Sequence, residues 1–402
     1  MNEWKEDLAQ LEGQSLRRTL KVVSQTEGAR LVIDGKSLIN FSSNNYLGLA
    51  RHPQVIEATK QVLDHWGTGA TSSRLISGTS IIHQDLECAL AAFLGKESAL
   101  LFPTGYQANL GVVTALVGPG DAIVLDRLCH ASLVDAARLS GARLFVYQHA
   151  DAQDAARVLK RTVTYRRRLL VTESLFSMNG DFAPLQELAQ LARQYEAISL
   201  VDEAHALGVW DTVKNWDVTM GTLSKSMGSQ GGFIAGSREL IETLINKARS
   251  FIFTTALSPA CVAAAQAALS LIQENPSPRL RVLQLSERLR EGLRDQGLDT
   301  LDSQSQIVPI LIGSPEDALR IAHGLYSAGI YAPAIRPPTV HAGECRIRVS
   351  VTAELNEPDI DQLLAALATL IPLPPSPLNM EKGAIPSPYL RERAAKLGEG
   401  DS

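Results

Sequence analysis

The chemistry that this sequence offers centres on one lysine in a run of small and polar residues. Lys225 lies between Ser224 and Ser226 in the run VTMGTLSKSMGSQGG (218–232), which contains no acidic residue. An amine among small residues suits covalent attachment to a bulky cofactor, because lysine is the usual Schiff-base former. A lysine in an ordinary polar loop is the other interpretation of this run. If Lys225 acts as a base, surroundings without carboxylates are expected to favour its neutral form.

A second candidate is the run Asp202-Glu203-Ala204-His205, which directly follows the apolar run AISLV. We expect Asp202 to be drawn into the end of a buried strand, where a carboxylate is costly unless a cation meets it. A protonated pyridine nitrogen is such a cation, and an aspartate there makes pyridoxal phosphate (PLP) an electron sink. His205 would then lie on the same side and reach the phenolic oxygen of the ring. An acidic helix cap followed by a core histidine is the alternative.

The elements that must position these residues alternate along the chain from Asn44 onward. Seven short apolar runs each follow a helical segment and precede a small polar cluster. The runs are SALLF (98–102), DAIVLD (121–126), RLFVY (143–147), RLLVT (168–172), AISLV (197–201), WDVTM (216–220) and FIAGS (233–237). Such alternation predicts an α/β fold with a mostly parallel sheet that is sandwiched by helices.

The polar clusters are expected to meet, because ligands of open α/β sheets bind outside the carboxyl ends of the strands. Five predicted strand ends carry Thr104-Gly105-Tyr106, Asp126 with His130, Glu173 with Ser177, Asp202 with His205, and Thr222 with Lys225. At Gly105 the absence of a side chain would let backbone amides approach a phosphate at a helix N-terminus. The alternatives are an ordinary turn at Gly105 and, at His130, a histidine that binds nothing.

The length and composition indicate an ordinary globular protein of two domains. The chain has 402 residues, of which 45% are hydrophobic and 20% charged. We predict an N-terminal arm (1–43), a large domain (44–250), a smaller C-terminal α+β domain (251–371) and a proline-rich extended tail (372–402). The arm combines an amphipathic helix around Leu8 with two β-like runs around Gly35, and the small domain contains the runs IVPILIG, GIYAPAI and CRIRVSV.

Charge and cysteine usage argue against several classes of partner. The net charge is -5, and the sequence contains no basic block, so neither nucleic acid nor a membrane surface is expected to bind. The acidic N-terminus does not resemble a signal peptide, which predicts a cytoplasmic protein. The four cysteines lie far apart, without a C-x-x-C pair, so we predict no metal site and no disulfide framework.

Taken in order, the motifs resemble those of the α-oxoamine synthases, which are PLP-dependent enzymes of fold type I. The resemblance rests on SSNNYLGL (42–49), LFPTGYQANLG (101–111), LCHASLVDA (128–136), TESLFSMNGDFAPL (172–185), VDEAHALGV (201–209), MGTLSKSMGSQGG (220–232), FIFTTALSPA (251–260) and AIRPPTV (334–340). It runs from about Leu16 to Leu370, in the same order as in the family. A single motif of this kind is weak, whereas the ordered set is specific.

The resemblance implies a role for each matching residue. It makes Lys225 the Schiff-base lysine, Asp202 the partner of the pyridine nitrogen, His205 a ligand of the phenolic oxygen and His130 the residue that stacks on the ring. The remaining cofactor contacts implied are Gly105, Tyr106, Ser177, Thr222 and, from the other subunit of a homodimer, Thr255. The substrate contacts implied are Arg17 and Thr339 for the acyl group, His130, and Arg348 for the amino-acid carboxylate. Without the family, Arg348 would be read as an outward-facing strand charge.

The activity implied is the decarboxylative condensation of L-alanine with a pimeloyl thioester, carried by coenzyme A or by a carrier protein. The alternatives are sister reactions that use glycine or serine with other acyl thioesters, or a PLP-binding subunit without activity. Three features depart from the family pattern. The segment between His205 and Lys225 is short, and His341 replaces a proline. Asn45 stands where an aspartate is usual, and the histidine usual after Thr352-Ala353 is absent, since Glu354-Leu355 follow.

Overall fold

The structure is a computed structural model, and it describes residues 3–371. The predicted tail at 372–402 lies outside the described residues. Within the described part, no helix is long and apolar enough to cross a membrane. The cytoplasmic location predicted from the sequence stays a prediction.

A seven-stranded sheet forms the centre of the molecule and confirms the predicted α/β fold. Its strands are β4 (Ser98–Phe102), β5 (Ala122–Asp126), β6 (Arg143–Tyr147), β7 (Arg168–Glu173), β8 (Ile198–Asp202), β9 (Val218–Thr222) and β10 (Gly232–Gly236). Their order is β4-β10-β9-β8-β7-β5-β6, and only β10 runs antiparallel to its neighbours in this sheet. The run predicted at 216–220 begins two residues later, because the backbone N–H of Asp217 donates to the hydroxyl of Ser199 instead of to a strand carbonyl.

Helices cover both faces of this sheet. They are α2 (Pro53–Trp66), α3 (Ile81–Leu94), α4 (Gly105–Leu116), α5 (Ala131–Ser140), α6 (Ala152–Lys160), α7 (Leu185–Gln194), α8 (Arg238–Lys247), α9 (Arg249–Ile252) and α10 (Pro259–Glu274). Successive strand residues point to opposite faces, so Ile123 and Leu125 pack in one apolar cluster and Val124 in another. Burial on both faces is why these strands read as continuous apolar runs.

The C-terminal part and the N-terminal arm pack together. The C-terminal part contains β11 (Ile307–Gly313), β13 (Ala334–Ile335) and β14 (Cys345–Ser350), with α11 (Ser277–Asp295), α12 (Pro315–Ser327) and α13 (Glu357–Leu370). The arm contains α1 (Glu3–Gly13), β1 (Val23–Glu27), β2 (Arg30–Ile33) and β3 (Lys36–Asn40). Strand β12 (Ile330–Tyr331) pairs in parallel with β3, and Ile39 and Phe41 join the C-terminal core.

Two expectations for the C-terminal part were incomplete. The run GIYAPAI forms two short strands in different sheets instead of one, because Pro333 interrupts it and proline donates no backbone hydrogen bond. The long helix α11 was not predicted. The domain boundaries themselves stay a prediction.

Candidate active site

A cavity of about 240 Å³ opens where the carboxyl ends of the strands meet. Seven residues predicted from the sequence line it together: Gly105, Tyr106, His130, Asp202, His205, Thr222 and Lys225. Asn109, Ser132, Glu173 and Ser224 complete much of the polar lining. Strand ends that are up to 120 residues apart in sequence thus form one site, as expected for an α/β sheet whose ligand binds at the carboxyl ends of the strands.

The hairpin between β9 and β10 holds Lys225 in place. The two strands pair antiparallel, with Thr222 opposite Gly232, and the hydroxyl of Thr222 donates to the carbonyl of Gly231 at 2.9 Å. Gly228 has a φ of +60°, and a Cβ on it would lie 2.3 Å from the backbone nitrogen of Ala50. This close approach requires glycine and fixes the hairpin loop against the segment that follows residue 48.

The amine of Lys225 is tuned by burial and by two carboxylates. Burial is the largest cause and lowers its pKa to about 8, whereas the charges of Asp202 and Glu173 raise it. The expectation of carboxylate-free surroundings was therefore wrong, because the sheet brings together strand ends that are distant in the sequence. The lowered pKa leaves a fraction of the amine neutral near pH 7. The neutral amine expected from the sequence is thus favoured by burial and not by an absence of carboxylates.

Asp202 is buried at the end of β8, with 5% of its surface exposed. One carboxylate oxygen accepts from the amide of Asn109 at 2.9 Å, and the other accepts from the backbone N–H of Ala204 at 2.8 Å. Asn109, which the sequence reading did not single out, also donates to the hydroxyl of Ser132 at 2.9 Å. Asn109 is fully buried within α4, and no local sequence pattern signals its contact with Asp202.

His130 lies at the N-cap of α5, where it is oriented from both sides. Its Nδ1 lies 2.8 Å from the hydroxyl of Ser132, and its backbone N–H donates to the carboxylate of Glu173. Burial, followed by the nearby charge of Asp202, raises the pKa of Glu173 well above its ordinary value. Burial lowers the pKa of His130, so its ring is neutral near pH 7.

A charged histidine ties together two of the loops that border the cavity. His149 lies 3.0 Å from Asp126 and 2.7 Å from Asp181, between the loop after β5 and the loop after β7. Burial alone would lower its pKa, but the two carboxylates outweigh burial and raise the pKa to about 9. His149 is therefore protonated at neutral pH and forms a partly buried ion pair.

Arg348 is buried, with 8% of its surface exposed, so its interpretation as an outward-facing strand charge is wrong. Its guanidinium donates to the carbonyl of Ser177 and, at 2.8 Å, to the hydroxyl of Ser350. Longer contacts of 3.5 Å reach Asn44 and the hydroxyl of Tyr46. That hydroxyl in turn lies 2.7 Å from Nδ1 of His205. The arginine and the histidine are thus joined by one tyrosine.

One end of the cavity is suited to an anion. Helix α4 begins at Gly105, and the side chain of Thr104 caps it by accepting from the backbone N–H of Gln107 at 3.1 Å. A Cβ on Gly105 would lie 2.7 Å from the methyl group of Met220, so glycine keeps this end open. The hydroxyls of Thr222 and Ser224 stand beside it. A helix N-terminus with nearby hydroxyls favours a phosphate group.

Five predicted site residues are not among those that line this cavity, and Arg348, described above, is one of them. Ser177 meets Arg348 through its carbonyl, and Thr255 pairs with Ser73 in a short antiparallel bridge. Thr339 lines a second cavity of about 210 Å³, which also contains Arg127, His341 and Arg346. Arg17 lines a third cavity of about 490 Å³ with Arg18, Lys21 and Arg336. The part of the chain that the structure describes contains no cluster of residues arranged to hold a metal ion.

Asn45, which stands where the family has an aspartate, contacts Glu354 in the stretch from which the family's histidine is absent. The amide of Asn45 donates to the carboxylate of Glu354 at 3.2 Å. The contact joins the loop before Tyr46 to the segment after β14, where Ala353 donates to the carbonyl of Tyr46 at 2.8 Å.

Known proteins resemble this chain over most of its length. The family model of aminotransferase class I and II matches residues 36–367. The 8-amino-7-oxononanoate synthase of Geobacter sulfurreducens is 44% identical over 377 residues, which cover 90% of this chain and 96% of the relative. Among solved structures, the serine palmitoyltransferase of Sphingomonas wittichii has a TM-score of 0.86 and 34% identity, covering 92% of this chain and 96% of its own. That of S. paucimobilis with bound PLP–myriocin aldimine has a TM-score of 0.87 and 31% identity, with the same coverage.

Proposed function

This chain belongs to the aminotransferase class I and II family, and we propose that it is a PLP-dependent C-acyltransferase of the 8-amino-7-oxononanoate synthase type. It condenses L-alanine with a pimeloyl thioester and releases carbon dioxide, the free thiol and 8-amino-7-oxononanoate, a precursor of biotin. The observation that carries the proposal is the convergence of Lys225, Asp202, His205 and His130 on one cavity.

The residues of the cavity fit PLP. The buried carboxylate of Asp202 suits a protonated pyridine nitrogen, and the N-terminus of α4 suits the phosphate. The amide oxygen of Asn109 is buried and has no partner among the described residues, so the cavity retains an unsatisfied acceptor. Lys225 supplies the amine for covalent attachment. When bound, PLP supplies an electron sink that stabilises negative charge on the α-carbon of the amino acid.

The other steps depend on what the side chains hold or move. Arg348 binds the alanine carboxylate, since its planar fork meets a carboxylate with two parallel hydrogen bonds. Nζ of Lys225, partly neutral because of its lowered pKa, takes the proton from the α-carbon and later returns one. Both carboxylate oxygens of Asp202 accept hydrogen bonds, which hold this side chain where it would pair with the pyridine nitrogen.

The comparisons and the arginines favour a pimeloyl group over a palmitoyl group. Identity is 44% to the Geobacter sulfurreducens synthase and 34% to the serine palmitoyltransferase of Sphingomonas wittichii. A pimeloyl group ends in a carboxylate, which requires a cation, whereas a palmitoyl chain is apolar throughout. Arginines line both outer cavities, beside Thr339 and around Arg17. The positive charges of these arginines favour an acyl chain that ends in a carboxylate.

We assign the working form to a homodimer, in which Thr255 reaches the phosphate of the neighbouring subunit. An exposed apolar patch around Thr255 supports this assignment. Ile76 and Phe253 are 81% and 69% exposed, and Leu75 is 50% exposed. Isolated large apolar side chains are common on surfaces, but a group beside a predicted intersubunit residue is typical of an interface.

The test is a substrate panel with purified, PLP-loaded protein. L-alanine with pimeloyl-coenzyme A, or with the pimeloyl carrier protein, is expected to release free thiol and carbon dioxide, with the product identified by mass spectrometry. The paired controls are L-serine with palmitoyl-coenzyme A, and glycine with acetyl- or succinyl-coenzyme A. Turnover of serine with the palmitoyl thioester alone would move the assignment to the sister enzyme. No thiol release with any pair would leave a PLP-binding subunit without activity.

A further inference from the structure

We propose that Tyr46 is a positioning residue that fixes the tautomer of His205, so that the imidazole carries its proton on Nε2 and presents it to the cavity. The inference deepens the proposed function, on which it rests for the identity of the molecule that accepts this proton. Tyr46 is completely buried, and its hydroxyl lies 2.7 Å from Nδ1 of His205. His205 lines the cavity, and its Nδ1 is hydrogen-bonded to Tyr46. Its Nε2 has no hydrogen-bond partner among the described residues and is the nitrogen left for a ligand.

The direction of the Tyr46–His205 hydrogen bond follows from the groups around the phenol. A hydroxyl has one proton, and a guanidinium can only donate. Arg348 approaches the phenolic oxygen at 3.5 Å, and at that length its positive charge matters more than hydrogen bonding. The charge attracts the oxygen lone pairs and directs the hydroxyl proton away from the guanidinium. Nδ1 of His205 is then the nearest acceptor.

A second acceptor, Asn44, competes less well for that proton. Its side-chain oxygen lies 3.2 Å from the phenolic oxygen and is also 3.5 Å from two nitrogens of Arg348. The contact with His205 is shorter by half an ångström, and shorter O–H donor contacts are the stronger ones. A phenol that donates to Nδ1 leaves the proton of a neutral imidazole on Nε2.

His205 is neutral and its backbone is held in place, so the folded protein keeps one tautomer of this imidazole. Burial lowers the pKa of its imidazole well below the ordinary value, and the charges of Lys225 and Arg348 lower it further. Burial raises the pKa of Tyr46, although Arg348 opposes this, so the phenol keeps its proton. The carbonyl of His205 accepts from Gln306 at 2.7 Å, which holds its backbone.

The assignment has a chemical consequence for the ligand. An Nε2–H group donates to an oxygen, whereas the other tautomer would present a bare nitrogen that only accepts. A phenolate oxygen accepts hydrogen bonds, so only the Nε2–H tautomer stabilises it as an anion. Tyr46 therefore acts through His205 and needs no contact with the ligand.

The experiment is a long-range ¹H–¹⁵N spectrum of the histidine side chains in the full-length, PLP-loaded protein, repeated without PLP. The resonances of His205 are identified by their loss in His205→Gln. We expect an unprotonated, pyridine-type Nδ1 and a protonated, pyrrole-type Nε2 in the wild type. In PLP-free Tyr46→Phe the two shifts are expected to move toward each other, because neither a donor to Nδ1 nor a ligand oxygen at Nε2 selects one tautomer. The matched control is Tyr326→Phe in α12, which removes a hydroxyl that donates to the carbonyl of Ile33 in the N-terminal arm, and it should leave His205 unchanged.

A pyrrole-type Nδ1 in the wild type overturns the proposal, as does an unchanged His205 spectrum in a folded, PLP-free Tyr46→Phe variant. If that variant does not fold, the wild-type spectrum alone still decides the tautomer. The readout is independent of turnover. A protein that fails to condense alanine with a pimeloyl thioester would contradict the proposed function and leave the tautomer assignment standing.

Discussion

Asn45→Asp places two carboxylates side by side and tests whether Asn45 and Glu354 act as a pair. In the wild type the amide donates to Glu354 at 3.2 Å, and both residues are half-buried. Two unit charges at 3.2 Å repel by roughly 1–5 kcal/mol as the effective dielectric constant falls from 80 to 20. Uptake of one proton limits this cost, because protonating a carboxyl of ordinary pKa at pH 7 costs about 4 kcal/mol. We expect a stability loss of about 1–3 kcal/mol at pH 7.

The loss should depend on pH in a defined direction. Burial already raises the pKa of Glu354, whereas the hydrogen bond from Asn45 lowers it. In the variant that hydrogen bond becomes repulsion, so the folded-state pKa of the pair rises above its unfolded value. The penalty is therefore present at neutral pH and disappears as the pH falls through the ordinary carboxyl range. Thermal unfolding of wild type and variant at pH 7 and at pH 4.5 would measure it.

A second substitution makes the test specific. Adding Glu354→His to Asn45→Asp replaces one of the two carboxylates by an imidazole that can pair with the aspartate, and it should recover most of the loss at pH 7. The matched control is Asn275→Asp at the exposed start of α11, where the side-chain oxygen accepts from Ser277 and an aspartate does the same. A single variant as stable as the wild type at pH 7, or a double variant no better than the single, would refute the pairing.

Four further predictions concern the site and its support. Lys225→Ala should leave the dialysed protein colourless, since Lys225 is the one lysine of the described residues that lines the cavity, and colour retained without added amine would contradict its role. Arg348→Gln should raise KM for alanine about 10- to 100-fold, as expected for loss of charged hydrogen bonds, and steady-state kinetics with an unchanged KM would argue against carboxylate binding there. The stabilisation from His149 should be complete below about pH 6.5 and lost as the pH rises through about 9, so thermal unfolding of His149→Gln should depend less on pH between 7 and 10 than that of the wild type. Ile76→Asp should weaken the dimer in sedimentation experiments whereas Leu139→Asp, at another exposed apolar position, should not, and equal effects would place the interface elsewhere.

The alternation of apolar runs and polar clusters was sufficient to predict the sheet and most of the cavity. Strand ends of an α/β sheet meet at one edge, so residues such as Asp126, Glu173 and Asp202 could be grouped before their geometry was known. What the periodicity could not supply is contact between side chains on different parts of the fold. Asn109 and Tyr46 became visible only when the hydrogen bonds of Asp202 and His205 were traced.

The environment of Lys225 shows the same limit. Local sequence correctly indicated a small-residue setting but could not reveal the carboxylates, because they come from β7 and β8 and reach the amine through the order of the strands. The split of the run at 329–335 has a similar origin. Its first half pairs with the arm, about 290 residues away in sequence, and no local pattern encodes that partner.

The pairing of β9 with β10 also determines which insertions the enzyme can tolerate. Lys225 takes its position from the strands on either side of its own hairpin, with Thr222 held opposite Gly232. The short connection that begins after His205 is anchored separately at its two ends, where Trp210 donates to Gln306 at 2.9 Å and the carbonyl of Trp216 accepts from Lys96. Changes of length between these anchors therefore do not shift the register of the lysine. We therefore expect a change of length in this connection to leave Lys225 in place, whereas a single insertion within residues 218–232 would displace the reactive amine.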